Sequence, residues 1–187
     1  MVLLLPYKEQ KKIRIWQQNL NKSPTIQQHF LYNLKPSNYN ITAIQEPATN
    51  SINLVISNSK WNMIYLTTHN KENTKKTWSV LFVNKKISKD GWHIILLDNP
   101  DITVIKLINQ EGNIQIYNIY HDSNHQDMLT FLTHHLSTQQ NDNNSTNTVG
   151  IILLGNFNQH HPSGMTLATI TYSNQPTYQQ LNCSLTS

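Results

Sequence analysis

Apolar residues recur along this chain mainly at the alternating spacing of β-strands. Runs that are rich in β-branched and aromatic residues predict strands at residues 13–19, 41–47, 61–66, 78–84, 102–108 and 113–120. Residues 151–154 are continuously apolar between two glycines, which predicts a buried central strand. A last short strand is predicted at residues 181–186.

Two stretches have the spacing of amphipathic helices instead. Ser23 is suited to be the N-cap before Pro24, and this helix would end before Pro36. Its apolar face would carry Ile26, Phe30, Leu31 and Leu34. The second helix is predicted at residues 124–136, with an apolar face formed by Met128, Leu129, Leu132 and Leu136.

The connections between these elements complete the picture. Gly112, between Glu111 and Asn113, can adopt a positive φ and predicts a hairpin between two strands. Residues 137–148 form an Asn-rich tract, which predicts a flexible loop. Many strands with a few helices between them predict an α/β fold, in which helices flank a two-layer β-sandwich.

Composition narrows the setting but not the function. The 187 residues predict a single domain, with a core that spans residues 13–187. No run of about 18 apolar residues is present, and residues 1–6 are too short an apolar run for a signal peptide, so we expect an intracellular protein without a membrane partner. The single Cys183 excludes an internal disulfide partner and a cysteine-based zinc site.

Polar side chains follow several of the predicted strands. Asn156 and Asn158 come directly after the buried apolar run, and Glu46 and Asn19 stand at the ends of two earlier strands. A sheet fixes the groups that its strand ends present, so this is how many enzymes build a site. The sequence therefore predicts a site at the end of the buried strand, where His160 and His161 follow the two asparagines.

Four strand-end segments, taken in order, resemble the endonuclease/exonuclease/phosphatase superfamily. They are residues 15–19 (IWQQN), 44–47 (IQEP), 116–120 (IYNIY) and 154–162 (LGNFNQHHP). The resemblance is greatest to the apurinic-endonuclease-like endonuclease domain of non-LTR (LINE-like) retrotransposons, and it runs from about Ile13 to the C-terminus. It implies a DNase I-like fold, whose edge could be incomplete because the segment between His161 and Pro176 is short.

The resemblance also implies Mg²⁺- or Mn²⁺-dependent cleavage of DNA phosphodiesters, in the nucleus if the chain derives from a retrotransposon. The residue that matches Glu46 binds the metal in this family, with the residue that matches Asn19 beside it, and the residue that matches Tyr120 contacts the scissile phosphate. Asn156 stands where the family has a water-activating Asp, and Asn158 where it has a phosphate-orienting Asn. Asn182 stands where the family has a later Asp.

These departures bear directly on activity. A carboxamide is a neutral and weaker ligand for Mg²⁺ than a carboxylate, and it cannot accept a proton from water. The family's closing Asp-His pair is also absent before the chain ends. We therefore expect a retrotransposon-type DNA endonuclease by descent whose activity is weak or lost. The alternatives are a catalytically silent nucleic-acid-binding protein and a non-functional fragment.

Several residues have two interpretations. Tyr120 could contact phosphate or simply pack in the core. The pair His160 and His161 could bind zinc, although sequence neighbours seldom ligate one ion, or could be loop residues facing a phosphate. The pairs at residues 75–76 and 85–86 could contact a nucleic-acid backbone or be solvated hairpin ends, and the net charge of +4 does not decide between these. The pair at residues 134–135 is expected at the helix surface.

Overall fold

The computed structural model describes residues 13–65, 69–70, 73–74, 76–108, 112–121, 127–141 and 148–156. The strands in this part of the chain are β1 (Ile15–Asn19), β2 (Ile41–Gln45), β3 (Trp61–Ile64), β4 (His69–Asn70), β5 (Asn73–Thr74), β6 (Ser79–Asn84), β7 (Trp92–Ile95), β8 (Ile102–Leu107), β9 (Asn113–Tyr120) and β10 (Thr148–Asn156). The α-helices are α1 (Pro24–Asn33) and α2 (Asp127–Asn141).

Two four-stranded sheets form the body of the described structure. The first has the order β1-β2-β6-β3, and the second has the order β10-β9-β8-β7. Each sheet contains one parallel pair, β1 with β2 and β10 with β9, and its remaining pairs are antiparallel. A parallel pair needs a crossover connection, and α1 and α2 lie in the two crossovers.

The core has three apolar layers. The sheets pack face to face through residues such as Ile41, Leu81, Ile116 and Leu154. The outer face of the first sheet packs against α1 through Phe30, Leu34, Ile44 and Phe82, and that of the second packs against α2 through Val104, Met128, Leu132 and Leu153. This is the predicted α/β sandwich with helices outside.

Strand β10 is buried as predicted, but its place in the sheet differs from the prediction. Ile152 and Leu154 face the first sheet, whereas Leu153 faces α2. Both faces of the strand are therefore covered, which explains the continuous apolar run. Among the described residues β10 nevertheless pairs with β9 alone and lies at the end of the sheet order, so the predicted central position is wrong for this part of the chain. An apolar run reports which faces are buried and not how many neighbours a strand has.

Buried amides join the two sheets near the ends of β2 and β9. The Asn118 Nδ2 donates to the carbonyl oxygens of Ile44 and Val80 at 2.8 and 2.9 Å. The Gln45 Nε2 donates to the Asn118 Oδ1, and the Ser79 hydroxyl donates to the Asn118 carbonyl oxygen at 2.8 Å. Asn118 is fully buried, and its amide joins the two sheets at the end of β2, where the next residue in the sequence is Glu46.

The start of α1 was predicted correctly, but one residue of its buried face was not. Ser23 is the N-cap, and its hydroxyl oxygen accepts from the Ile26 backbone N–H at 3.3 Å. Ile26 is 44% exposed, whereas the neighbouring Gln27 is 1% exposed. Gln27 is held inside because its Oε1 accepts from the Ala48 N–H at 2.7 Å and its Nε2 donates to the Ile56 carbonyl oxygen at 3.0 Å.

The second helix continues beyond its predicted end at residue 136. It reaches Asn141, so the predicted loop at residues 137–148 starts too early, and its last residue already belongs to β10. Hydroxyl groups bond within the helix instead of ending it: Ser137 Oγ donates to the Thr133 carbonyl oxygen, and Thr138 Oγ1 donates to that of His135. Leu129 is exposed rather than buried.

Four smaller points complete the comparison. Gly112 has a φ of 126° at the junction of the antiparallel strands β8 and β9, as predicted for the hairpin. Strand β7 and the short β4–β5 pair were not predicted as strands. His135 is not a surface residue like His134: its Nε2 lies 3.2 Å from the Tyr117 hydroxyl, and its side chain is half-buried. The strand predicted at 181–186 lies outside the described residues.

No helix among the described residues combines the length and the apolar character that crossing a membrane requires.

Candidate functional site

The candidate site begins where β1 and β2 end side by side. The two strands are parallel, and Asn19 is opposite Gln45 in their register. The chain segments that follow remain joined, because the Leu20 N–H donates to the Gln45 carbonyl oxygen at 2.9 Å and the Lys22 N–H donates to that of Glu46 at 2.8 Å. The sheet therefore brings together the two residues that were predicted at a metal.

The backbone at this point is unusual. Asn21, Lys22 and Glu46 have φ angles of 47°, 56° and 48°, which is the left-handed region. Asn adopts this region readily, but for Lys and Glu it costs about 1–2 kcal/mol per residue. These turns direct the Lys22 and Glu46 side chains toward one another, so local backbone strain accompanies the arrangement of the site.

Glu46 is engaged on both carboxylate oxygens. Its Oε1 accepts from the Asn19 Nδ2 at 3.0 Å, and its Oε2 lies 3.6 Å from the Lys22 Nζ. The Asn19 Oδ1 is also engaged, since it accepts from the Asn21 N–H at 2.8 Å. Glu46 itself is nearly buried. The carboxylate thus has an internal cation and an internal amide donor.

Two stacked aromatic rings adjoin this group. The rings of Trp78 and Tyr120 are 5.4 Å apart and 13° from parallel. The Lys22 Nζ lies 4.3 Å from the centroid of the Trp78 ring, and the Lys76 Nζ lies 5.3 Å from it. The Glu46 N–H donates to the Trp78 carbonyl oxygen at 2.9 Å. A continuous set of contacts therefore runs from Asn19 through Glu46, Lys22 and Trp78 to Tyr120, which we call the Glu46 cluster.

Asn156 reaches the same edge through the second sheet. The register of β10 with β9 places Asn156 opposite Tyr120. The preceding residue, Gly155, approaches β9 so closely that an added Cβ would lie 2.2 Å from the Ile119 carbonyl oxygen. The Gly155 carbonyl oxygen accepts from the Gln17 Nε2 at 2.7 Å, which ties β10 to β1. Asn158 and Asn182 lie outside the described residues, as do His160 and His161.

Lys22 and Trp78 were missed as site residues at the level of the sequence. Trp78 was predicted only as the start of a strand, and no role was predicted for Lys22. The one available signal was the pair of lysines at residues 75–76, two positions before Trp78, because positive charge near an aromatic residue is typical of nucleic-acid-binding surfaces. The approach of Lys22 to Glu46 depends on left-handed turns that residue spacing does not encode.

The described part of the Glu46 cluster does not fit a hard divalent cation. Mg²⁺ and Mn²⁺ prefer several anionic or carbonyl oxygens, and Glu46 is the one carboxylate here. Its oxygens face an ammonium and an amide N–H, and the Asn19 oxygen faces the backbone. Within the described residues, no three His, Cys, Asp or Glu side chains are grouped so that they could hold a metal ion.

Comparison with solved structures identifies the fold. The endonuclease domain of TRAS1, a telomere-specific non-LTR retrotransposon, is 14% identical over 78% of this chain and 58% of that one, with a TM-score of 0.53. TDP2 from Caenorhabditis elegans is 10% identical over 79% of this chain and 48% of that one, with a TM-score of 0.51. The chain thus spans about half the length of these proteins.

No protein-family model matches the sequence, and no curated protein matches it. At these identities the structural likeness concerns the fold alone. The described strands and helices form an α/β sandwich with helices outside, which is the fold that the strand-end motifs predicted and the fold that this chain shares with these structural neighbours.

Proposed function

We propose that this chain is a retrotransposon-type DNA endonuclease by descent, in which phosphodiester hydrolysis is weak or lost. The observation that carries this proposal is the state of Glu46, whose two carboxylate oxygens contact Asn19 and Lys22. The fold of the TRAS1 endonuclease domain supports the descent. The ordered strand-end motifs at residues 15–19, 44–47, 116–120 and 154–162 support it independently.

The chemistry of the named side chains explains the expected loss. Hydrolysis needs a group that removes a proton from water and a charge that stabilises the transition state. Asn156, Asn158 and Asn182 carry neutral amides and cannot act as the base. Mg²⁺ or Mn²⁺ would supply two positive charges and a Lewis acid when bound, whereas the Lys22 ammonium supplies a single positive charge.

Binding of DNA is a second candidate function that does not require this chemistry. Trp78 is half-exposed, and two lysine ammoniums lie near its ring, one from Lys22 and one from Lys76. Aromatic rings beside positive charge favour base stacking and phosphate contacts in single-stranded nucleic acid. We therefore infer that the Glu46 cluster contacts DNA through Lys22 and Trp78, together with the neighbouring Lys76, whether or not it cleaves.

A nicking assay tests the loss of hydrolysis. Supercoiled plasmid is incubated with the protein and Mg²⁺ or Mn²⁺, beside Glu46→Ala and a double variant, Asn156→Asp with Asn182→Asp. We expect no nicking above that of Glu46→Ala by the unmodified chain. Metal-dependent nicking that Glu46→Ala abolishes would refute the proposed loss.

A binding assay tests the second candidate separately. The affinity for single-stranded DNA is measured at low salt by fluorescence anisotropy for the unmodified chain and for Trp78→Ala. Stacking on one aromatic ring is worth about 1–3 kcal/mol, so we expect Trp78→Ala to weaken binding at least about fivefold. The control is Tyr32→Ala, which removes an exposed aromatic ring on α1. Equal affinities of all three proteins would exclude base stacking at Trp78.

A further inference from the structure

A second concentration of positive charge lies at the other end of the first sheet. Four lysines, Lys35, Lys60, Lys85 and Lys86, line a cavity of about 600 Å³; we call it the four-lysine pocket. Strand β6 runs from Ser79, beside Trp78, to Asn84 at the pocket. At about 3.3 Å per residue, the length of β6 separates the pocket from the Glu46 cluster by roughly 20 Å.

Asn84 fixes the walls of this pocket. It is 2% exposed, and its Nδ2 donates to the carbonyl oxygens of Pro36 and Tyr39 at 2.7 and 2.9 Å. Its Oδ1 accepts from the Lys86 N–H at 3.0 Å. The Lys85 N–H donates to the Lys60 carbonyl oxygen at 3.1 Å. Three separate segments of the chain, each bearing lysine, are therefore joined by one buried amide and a backbone hydrogen bond.

The positive charge of the four-lysine pocket is not neutralised by a carboxylate among the described residues. All four lysines are exposed. Across the described ranges of the chain, the ion pair that the structure shows is Lys22 with Glu46, and no carboxylate pairs with any of the four. The four lysines that line this cavity carry charges of the same sign, and an anion with several charges would offset the repulsion between them.

The lining also indicates which kind of anion fits. It contains no aromatic side chain for base stacking, and no long apolar side chain of the kind that membrane-surface binding uses. Lysine ammoniums act as point charges that contact phosphate without reading a base. Exposed positions around an open cavity suit an extended chain of phosphates better than a small enclosed ligand.

We propose that the four-lysine pocket binds the phosphate backbone of nucleic acid, independently of sequence, as a second contact site. This inference rests on the proposed function only for the identity of the ligand, which the two sites would share. A duplex that reaches from the pocket to the Glu46 cluster would span about six base pairs, at 3.4 Å per pair. The proposed role of the pocket is binding alone, without catalysis.

Salt dependence of binding tests this proposal. The affinity for a 30-base-pair duplex is measured at several salt concentrations for the unmodified chain and for a double variant, Lys60→Gln with Lys85→Gln. Each phosphate contact contributes about 0.9 to the slope of log K against log salt. We expect the slope to become shallower by about 1.8 in the double variant.

A matched control removes two charges elsewhere. Lys89→Gln with Lys106→Gln gives the same net charge but leaves the pocket lining intact, and we expect its slope to equal that of the unmodified chain. Equal slopes for the two double variants would overturn the proposal. None of these substitutions removes a core residue, and thermal unfolding of each variant checks that it is folded. If the pocket double variant unfolds, Lys86→Gln alone takes its place, with an expected change in slope of about 0.9.

Other arms separate this proposal from its competitors and from the proposed function. Binding to heparin or to phosphatidylserine vesicles that depends on Lys60 and Lys85, with an unchanged duplex slope, would also overturn it. Failure at the Glu46 cluster appears instead as unchanged affinity of Trp78→Ala for single-stranded DNA. The two failures are therefore distinguishable.

Discussion

The ammonium of Lys22 lies 3.6 Å from the Oε2 of Glu46, and the two residues are also joined through the main chain by a hydrogen bond of 2.8 Å from the Lys22 N–H to the Glu46 carbonyl oxygen. The main-chain bond holds the lysine beside the carboxylate, and the Trp78 ring at 4.3 Å from its Nζ covers the ammonium on another side. A metal ion that bound Glu46 would have to displace this internal cation.

Removal of the internal cation should therefore improve metal binding. We expect Lys22→Gln to bind Mn²⁺ more tightly than the unmodified chain, as measured by electron paramagnetic resonance of free Mn²⁺. Its stability should fall by less than about 1 kcal/mol, because partly exposed ion pairs contribute little. Lys76→Gln removes a charge from the same Trp78 surface without touching Glu46 and is the control. Equal Mn²⁺ affinities of the two variants would contradict the displacement argument.

The contact of Gly155 with β9 predicts a sharp difference between two glycines of one strand. Gly155→Ala would place a Cβ 2.2 Å from the Ile119 carbonyl oxygen, so β10 must move away from β9. Such overpacking costs typically about 1–3 kcal/mol or more. Gly150→Ala meets no atom within 4 Å and should change the free energy of unfolding by less than about 0.5 kcal/mol. Urea denaturation measures both, and similar values would refute the close approach.

Asn118 should be among the most sensitive polar residues of the sandwich. Asn118→Ala removes the donor to the Ile44 and Val80 carbonyl oxygens and the acceptor for Gln45. Loss of a partner by a buried polar group costs about 1–3 kcal/mol, and we expect a destabilisation near the upper end of that range. Asn33→Ala, at an exposed position, is the control. A loss in urea unfolding no larger than that of the control would show that the amide does not join the sheets.

His135 should make stability depend on pH. Burial lowers the pKa of His135, and the charge of His134 lowers it further. A folded-state pKa below the unfolded value means that the unfolded chain binds the proton more readily. The contribution of His135 is therefore full above its unfolded pKa near 6.5 and is lost as the pH falls from there toward the folded pKa.

Unfolding by urea between pH 5 and 7.5 measures this effect. His135→Gln should flatten the pH dependence, whereas His134→Gln, at an exposed position, should preserve most of it. An unchanged profile in His135→Gln would assign the pH dependence to other groups.

Sequence reasoning predicted the framework of the site better than its electrostatics. The strand ends at Asn19 and Glu46 were identified because strand periodicity and the motif order agree, and the parallel register of β1 and β2 then brings them together. Lys22 and Trp78 were not identified. The approach of Lys22 to Glu46 depends on positive φ angles at these two residues, which their residue types rarely adopt and which a pattern of spacings does not reveal.

The remaining errors have physical causes that a polarity pattern does not contain. Gln27 is buried in place of Ile26, and His135 packs against Tyr117, because specific hydrogen bonds outweigh the preference of polar groups for water. Strand β7 was missed because exposure does not follow polarity in the middle of its run. The polar His93 and the apolar Ile94 are both exposed. Polarity patterns predict average burial and cannot identify individual polar partners.

The tight approach of Gly155 to β9 has a consequence for substitutions at residue 156. The backbone at position 156 is held opposite Tyr120 by the ladder of two strands, so its place does not depend on which side chain it bears. Codons for Asn and Asp differ by a single base. A carboxylate at residue 156 is thus one base substitution away, on a backbone that needs no rebuilding.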